Sequence, residues 1–344
     1  MPAITKGKVL VTGANGYIAV WVVKHLLEHG FSVRGTVRRD SSIPYLKETF
    51  KAYGDKLEFV VVPDITKDGA FDEAVKGVDA IEHTASPFHM RAKHPQEMIV
   101  PAVEGTLSVL RSALAHANDT VKRVVVTASC ASVITAQPTP RTFSEADWNE
   151  LSPRMCEERG ADASNTDMYR ASKTLAERAA WRFAEENKDK LRFDVAVLNP
   201  PFVWGPFIHE VDKPENLNQS MLDWYDTVVK GTRPEEQLTS VSSCFVDVRD
   251  LGLAHTLALE KEEAGGERII VSSGQWNWQD WINAARKVEP SFPPGKTSYN
   301  QKEAVYLVNY DTSKCARILG LQLRGLDEVA ADMVKQFKER GWVQ

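Results

Sequence analysis

The stretch Lys8-Val9-Leu10-Val11-Thr12-Gly13-Ala14-Asn15-Gly16-Tyr17-Ile18-Ala19 decides the fold. Its first five residues form a short apolar, β-branched run, the pattern of a strand buried in a parallel sheet. Gly13 permits a tight turn, and Gly16 lets the backbone come close to an anion. Ile18, Val22, Leu26 and Leu27 then recur at helical spacing until His29-Gly30 stops the helix. A helix that begins directly after such a turn presents unpaired N–H groups and a partial positive charge to a pyrophosphate. The dinucleotide fingerprint usually reads GxGxxG. Here it is GxxGxxA, with alanine in the slot that serves close helix–strand packing.

Outward from this turn, strands and helices alternate. Phe31 to Val37, Leu57 to Val62, Ala80 to His83 and Arg123 to Thr127 read as further strands, and Met98 to Ala115 carries apolar residues at helical spacing. A helix around Tyr169 to Glu186 leads into a strand over Phe193 to Leu198. Without hairpin signals between them, these strands require right-handed crossovers, so the expected fold is α/β: a doubly wound parallel sheet of the Rossmann type. The texture changes at Asn199-Pro200-Pro201 and Gly205-Pro206. Val241 to Val248 and Arg268 to Val271 are expected to return as strands to the main sheet. This divides the chain into a nucleotide-binding domain over 1–199 and 240–272, and a smaller, mostly C-terminal substrate-binding domain over 200–239 and 273–344. Six of the nine tryptophans lie from Trp204 onward, which points to a bulky apolar lining or core in the second half.

The bulk numbers narrow the function classes. The 344 residues are 43% hydrophobic and 26% charged, with a net charge of −5, so the composition is that of an ordinary globular protein. No basic stripe offers itself to a nucleic acid. Cys130, Cys156, Cys244 and Cys315 are too scattered for a disulfide framework or a zinc site and read as free thiols. His83, His89 and His94 lack metal-ligand spacing, so no metal is expected. The opening residues hold no apolar signal segment and no later stretch reads as a membrane span, so a soluble cytoplasmic protein, monomeric or homodimeric, is expected.

At the end of the second strand, Val37 occupies the slot where NAD-binding proteins place an acid on the ribose 2′-hydroxyl, and Arg38 stands beside it. A missing carboxylate and an available guanidinium suit a 2′-phosphate, hence NADP(H), with Arg39 a helper and Asp40 a competitor for the ribose. Tyr169 and Lys173 lie four residues apart on one helix face. A free phenol titrates near 10, roughly, and a neighbouring ammonium would depress it toward general acid/base work. Ser129 ends the fifth strand, where the ligand crevice of such sheets opens, and can hold a carbonyl oxygen that Tyr169 protonates; Ser132 is the alternative.

Together these residues resemble the extended short-chain dehydrogenase/reductases, in the branch of dihydroflavonol 4-reductase, cinnamoyl-CoA reductase and the yeast NADPH-dependent aldehyde, methylglyoxal and ketone reductases. Val33 to Arg38, Asn199 to Pro206, and Asp311-Thr312-Ser313-Lys314 before Ile318-Leu319-Gly320 carry the same likeness, which thins between His209 and Ser240. The resemblance implies reduction of an aldehyde or ketone with Ser129, Tyr169 and Lys173 as catalytic residues. It implies a cofactor shell of Gly13, Asn15, Gly16, Tyr17, Ile18, Arg38, Asp64, Ile65, Thr84, Ala85, Ser86, Thr127, Tyr169, Lys173, Pro200 and Val203. Phe88, Phe143, Phe202, Trp204 and Trp224 are candidates for the wall against an apolar or aromatic carbonyl substrate. Many short-chain members carry a helix Asn near the lysine; the corresponding stretch here, Gly105 to Ser108, offers only Ser108. Two other readings share the fold: an NAD-dependent nucleotide-sugar epimerase or dehydratase, and a non-catalytic NADP-sensing regulator. The vacant acid position counts against the first, and the intact Ser129, Tyr169 and Lys173 count against the second.

Overall fold

A computed structural model of the chain describes residues 4–86 and 92–343. Among these residues the strands are β1 (Lys8–Thr12), β2 (Ser32–Val37), β3 (Leu57–Val61), β4 (Ala80–His83), β5 (Arg123–Thr127), β6 (Arg141–Phe143) and β7 (Asp194–Asn199). They continue with β8 (Phe202–Trp204), β9 (Ser242–Asp247), β10 (Arg268–Ile270), β11 (Gly274–Asn277) and β12 (Val308–Tyr310). The helices are α1 (Tyr17–Glu28), α2 (Ile43–Thr49), α3 (Gln96–His116), α4 (Leu151–Arg159), α5 (Asn165–Glu186), α6 (Gln219–Trp224), α7 (Gln237–Ser240), α8 (Val248–Glu260), α9 (Trp278–Val288), α10 (Ser313–Leu319) and α11 (Leu326–Glu339).

Seven strands pair in the order β3-β2-β1-β4-β5-β7-β10, and every pairing is parallel. The chain winds outward from β1 to β3 in one direction and, after β3, crosses to β4 and winds in the other. That reversal opens a crevice beyond the carboxyl ends of β1 and β4. Alternation along β1 explains the layering: Val9 and Val11 join a core with Val20 and Leu26 of α1 and Leu251 and Ala254 of α8. Leu10 faces the other way, with Val109 and Leu110 of α3 and Phe183 of α5. Each of the Val, Leu and Phe side chains among these contributes about 1.5–3 kcal/mol by leaving water. The close seating of α8 on α1 depends on Gly252, where a Cβ would lie 2.9 Å from the Trp21 Cβ.

Two elements differ from the expectation. Gln96–His116 is long and apolar enough to cross a membrane by length and composition, where no such stretch is expected from the sequence. In the fold this helix packs along α5, burying Met98, Ile99, Ala102, Val109, Leu110 and Ala113. The strand expected over Val241 to Val248 does not rejoin the main sheet. Instead β9 is the middle of a three-stranded sheet, parallel to β8 and antiparallel to β11, while β10 does extend the main sheet beside β7. A parallel pair, β6 and β12, forms a third sheet.

Behind the three-stranded sheet lies an aromatic core. Trp204, Trp224, Trp276, Trp278 and Trp281 are all fully buried. Trp204 meets Trp276, Trp278 and Trp281 edge-on, with ring centroids 4.8, 5.7 and 5.0 Å apart. Such pairs are worth about 0.5–1.5 kcal/mol each beyond the area they bury. Arg249 ties the C-terminal helix to this region by reaching both Asp247 and Asp332.

Candidate active site

The turn between β1 and α1 is shaped for an anion. Gly13 has φ +66°, and a Cβ there would lie 3.2 Å from the Cα of Ala85. The turn is pinned to β2 by bonds from the Gly13 N–H to the Thr36 hydroxyl (3.1 Å) and from the Ala14 N–H to the Thr36 carbonyl (2.8 Å). Gly16 caps α1 without a side-chain hydrogen bond, and the first turn of the helix holds no acid. The opening N–H groups of α1 are therefore left for a ligand rather than for the protein's own side chains. Asn15 and Gly16 are exposed beside them, and Ile18 is half-buried. Tyr17 points its side chain away, donating to the Gly205 carbonyl at 2.8 Å, so only its backbone faces this turn.

Arg38 stands exposed at the end of β2, and among the described residues it has no ion-pair partner within 4 Å. Val37 beside it is buried. Asp40 is exposed in the turn that follows. Asp64 is exposed after β3, its carboxyl held below the usual range by bonds from the Thr66 hydroxyl and N–H, with a smaller contribution from the Arg38 charge. Ile65 is half-buried against α3, where Gly105 makes room for it.

The end of β4 is laced to the end of β1. Thr12 accepts the N–H groups of Thr84 and Ala85 at 3.1 and 3.0 Å and pairs with the His83 ring at 3.0 Å. Burial holds His83 neutral, down to about 3. Ser86 follows, exposed, and accepts a bond from the Lys173 ammonium at 3.4 Å. Phe88 and His89 lie outside the described residues.

Helix α5 carries Tyr169 and Lys173 to this edge. Its first turn is fixed by Ser164, which caps the Asp167 N–H at 3.0 Å. Ser129 hydrogen-bonds to the Tyr169 phenol. Its hydroxyl also accepts from the Ala131 N–H at 3.1 Å and donates to the Pro200 carbonyl at only 3.4 Å, a long bond that another acceptor can replace. The expectation from sequence is a phenol depressed by the neighbouring ammonium together with an oxidised nicotinamide. The protein alone does the opposite: burial pushes Tyr169 above its ordinary value, and the Ser129 bond offsets this only in part. Desolvation pulls the Lys173 ammonium down to about 8. Lys173, His83, Ser86, Thr106 and Glu177 line a cavity of about 20 Å³, room for one water.

Other candidates are placed differently from one another. Thr127 hydrogen-bonds His255 at 3.0 Å, and His255 meets the buried Glu82 at 2.6 Å on the α8 side of the sheet. Pro200 contributes its carbonyl to the Cys130 N–H at 2.8 Å, and Val203 is buried in the core with Trp204. Trp204 and Trp224 are fully buried in the aromatic core, and Phe143 of β6 packs on Tyr310 of β12, so as placed all three serve packing. Phe202 differs: it is 42% exposed and stacks on Trp204 with ring centroids 5.3 Å apart. Ser108 donates to the Lys67 carbonyl at 2.9 Å, away from Lys173. Cys130 is a packed thiol that donates to the Asn199 carbonyl, and burial raises it well above its ordinary value. Glu177, a fully buried carboxylate one helical turn beyond Lys173, is not among the residues expected from sequence. The series Tyr169, Lys173, Glu177 at four-residue spacing was the available signal. A wider concavity of about 300 Å³, lined by Asn277, Lys296 and Tyr299 among others, shares no lining residue with the cavity beside Lys173.

A parallel sheet in this order, a glycine turn ahead of an uncapped helix, and Ser129, Tyr169 and Lys173 at the sheet's carboxyl edge define an extended short-chain dehydrogenase/reductase. The chain belongs to the NAD dependent epimerase/dehydratase family, whose profile matches residues 9–272. It is 33% identical over 341 residues to the NADPH-dependent methylglyoxal reductase of Saccharomyces cerevisiae, spanning 96% of this chain and 97% of that one. It is 35% identical over 342 residues to a ketoreductase of Aspergillus niger, spanning 97% and 98%. Among solved structures, the yeast methylglyoxal/isovaleraldehyde reductase complexed with NADPH is 31% identical. It superposes with a TM-score of 0.86, over 98% of this chain and all of that one. Vestitone reductase of alfalfa superposes with a TM-score of 0.76 at 26% identity, over 98% of this chain and 100% of its own. The chain is therefore of the carbonyl reductase type.

Proposed function

We propose that this protein uses NADPH to reduce an aldehyde or ketone to an alcohol, with Tyr169 as the acid. The observation that carries this is the hydrogen bond between Ser129 and Tyr169 at the carboxyl edge of the sheet, with Lys173 one helical turn on and bonded to Ser86. The chain's own residues suit the cofactor. The Gly13 cradle would be filled by any Cβ, the α1 N-terminus lacks a side-chain cap, and Arg38 has no ion-pair partner within 4 Å among the described residues. Gly13, Gly16 and the α1 N–H groups would hold the pyrophosphate, Arg38 the 2′-phosphate, and Lys173 with Ser86 the nicotinamide ribose. When bound, NADPH supplies the hydride.

Ser129 then exchanges its long bond to Pro200 for one to the carbonyl oxygen, orienting it toward the phenol. Tyr169, kept neutral by burial, gives that oxygen its proton. Lys173 places a positive charge where phenolate develops and lowers the cost of forming it. Phe202 offers an exposed aromatic face, which favours an apolar or aromatic carbonyl. The epimerase reading, which the family's description keeps in view, lacks its carboxylate: Val37 is buried and Arg38 follows. The test is NADPH oxidation against a panel of aldehydes, diketones, keto esters and dihydroflavonols. Turnover with NADPH well above that with NADH is expected; no turnover with any carbonyl, or a preference for NADH, would overturn the proposal.

A further inference from the structure

We propose that Glu177 is a positioning residue, a buried carboxylate clamp that fixes the Ser129 loop against the helix carrying Tyr169 and Lys173. This rests on the reductase reading above for its consequence in turnover, though not for its geometry. Glu177 is 1% exposed and lies eight residues beyond Tyr169 on α5. It gathers donors from three other segments. The Ser132 hydroxyl bonds its Oε2, the Asn199 amide donates to the same oxygen at 2.8 Å, and the Arg268 guanidinium pairs with Oε1. The Trp181 N–H adds a longer bond at 3.4 Å. A carboxylate accepts all of these at once, which no neutral side chain of its size can do.

Those donors in turn hold the peptide of Ser129. The Ser129 carbonyl accepts the Ser132 N–H at 2.9 Å, the Ser132 hydroxyl at 2.7 Å and the Asn199 amide at 3.3 Å. The single Ser132 hydrogen is thus shared between the Glu177 carboxylate and the Ser129 carbonyl. Arg268 extends the clamp to the Glu145 and Asp147 carbonyls at 2.6 and 3.0 Å, and lies 3.6 Å from the centre of the Trp148 ring. One anion therefore joins α5, the loop after β5, the end of β7 and β10. It sets where the Ser129 hydroxyl sits relative to the phenol.

The charge of Glu177 is matched by Arg268, so its effect on Tyr169 runs through placement. The two routes have opposite signs. Losing the Ser129 bond raises the phenol's titration, whereas losing a nearby negative charge lowers it. The experiment is a double-mutant cycle of Glu177→Gln with Ser129→Ala in the full-length protein. Its readout is the ζ-carbon resonance of Tyr169 in ring-labelled protein, identified by its loss in Tyr169→Phe, at neutral pH and through alkaline titration. Glu177→Gln is expected to move this titration upward, as Ser129→Ala does, and to add nothing further in the Ser129→Ala background. Ser132→Ala, which deletes one link and keeps the Arg268 pair, is expected to move it the same way by less, and covers the case in which Glu177→Gln fails to fold. In turnover, Glu177→Gln should lower kcat about 10–100-fold, the range of a misplaced catalytic group, with NADPH affinity within about twofold. An unchanged Tyr169 resonance, a downward shift, or additive effects in the double mutant would overturn the assignment. Absence of carbonyl turnover in the wild type would sink the reductase reading alone, because the resonance cycle needs no substrate.

Discussion

Replacing Gly13 with alanine tests the phosphate turn where the structure is least forgiving. At φ +66° an L side chain sits in the left-handed region, which costs about 1–2 kcal/mol. The new methyl also meets the Ala85 Cα and Cβ at 3.2 Å, short of ordinary contact. Ala85 cannot retreat freely, because its N–H is bonded to Thr12 at 3.0 Å. Crowding of this kind adds on the order of 1 kcal/mol. The sum, about 2–3 kcal/mol, corresponds to a drop in melting temperature on the order of 5 °C for a chain of this length. The displaced turn should also weaken NADPH binding at least about tenfold, the equivalent of one charge-assisted bond. Gly16→Ala is the matched control. Its φ is −75°, so alanine brings no left-handed cost, and its Cβ meets chiefly the Gly13 carbonyl at 3.2 Å. Its melting temperature should stay within about 2 °C of wild type, below the shift expected of Gly13. Differential scanning calorimetry with NADPH titration reads both effects. A Gly13→Ala protein that melts and binds NADPH like wild type would show that this turn does not need glycine and does not hold the cofactor.

Further outcomes follow from the same geometry. With Lys173 near 8, kcat for reduction should hold below that pH and fall about tenfold per unit above it as the ammonium is lost; Lys173→Arg should flatten that limb, and an identical limb in the variant would remove Lys173 as its source. Arg38→Ala should raise KM for NADPH about 10–100-fold, the value of one or two charge-assisted bonds, and leave NADH unchanged; equal effects on both cofactors would remove Arg38 from the 2′-phosphate. His83 and His209 are held near 3 and 4, below the free imidazole value of 6.5, so the folded state binds fewer protons than the unfolded one, and the stability they support above 6.5 is lost as pH falls toward 4. Glu82, raised to about 7 by burial, acts with the opposite sign, so Glu82→Gln should gain stability relative to wild type as pH rises from 4.5 to 7; a constant difference in denaturant titrations across that window would contradict this.

What could be read from the chain was set by local physics. The strand Lys8–Thr12, its glycine turn and the helix after it are decided within twenty residues by periodicity and by a backbone conformation that only glycine adopts cheaply. Ser129, Tyr169 and Lys173 were legible because strand ends converge on one edge and a four-residue step puts two side chains on one helix face. What escaped depended on long-range pairing. The strand at Ser242–Asp247 reads like any sheet strand, and only its partners, Phe202–Trp204 and Gly274–Asn277, remove it from the main sheet. The tryptophans Trp204 and Trp224 read as wall or, more readily, as core, and in the fold both are fully buried among aromatic neighbours that include Trp281. Tyr169 shows the same limit in its charge state: an ammonium four residues away suggests a depressed phenol, but desolvation in the fold, invisible in sequence, outweighs it. Glu177 escaped because its meaning lies in Ser132, Asn199 and Arg268, up to ninety-one residues away.

In the proposed reaction Tyr169 delivers the proton to the carbonyl oxygen. The most direct measurement of this step pairs Tyr169→Phe with wild type, comparing single-turnover reduction of a carbonyl with NADPH affinity measured by fluorescence. Removing one hydroxyl should lower the reduction rate about 10²–10⁴-fold, the range of general acid catalysis, while NADPH affinity stays within about twofold. A Tyr169→Phe protein that reduces its carbonyl at near the wild-type rate would contradict the account.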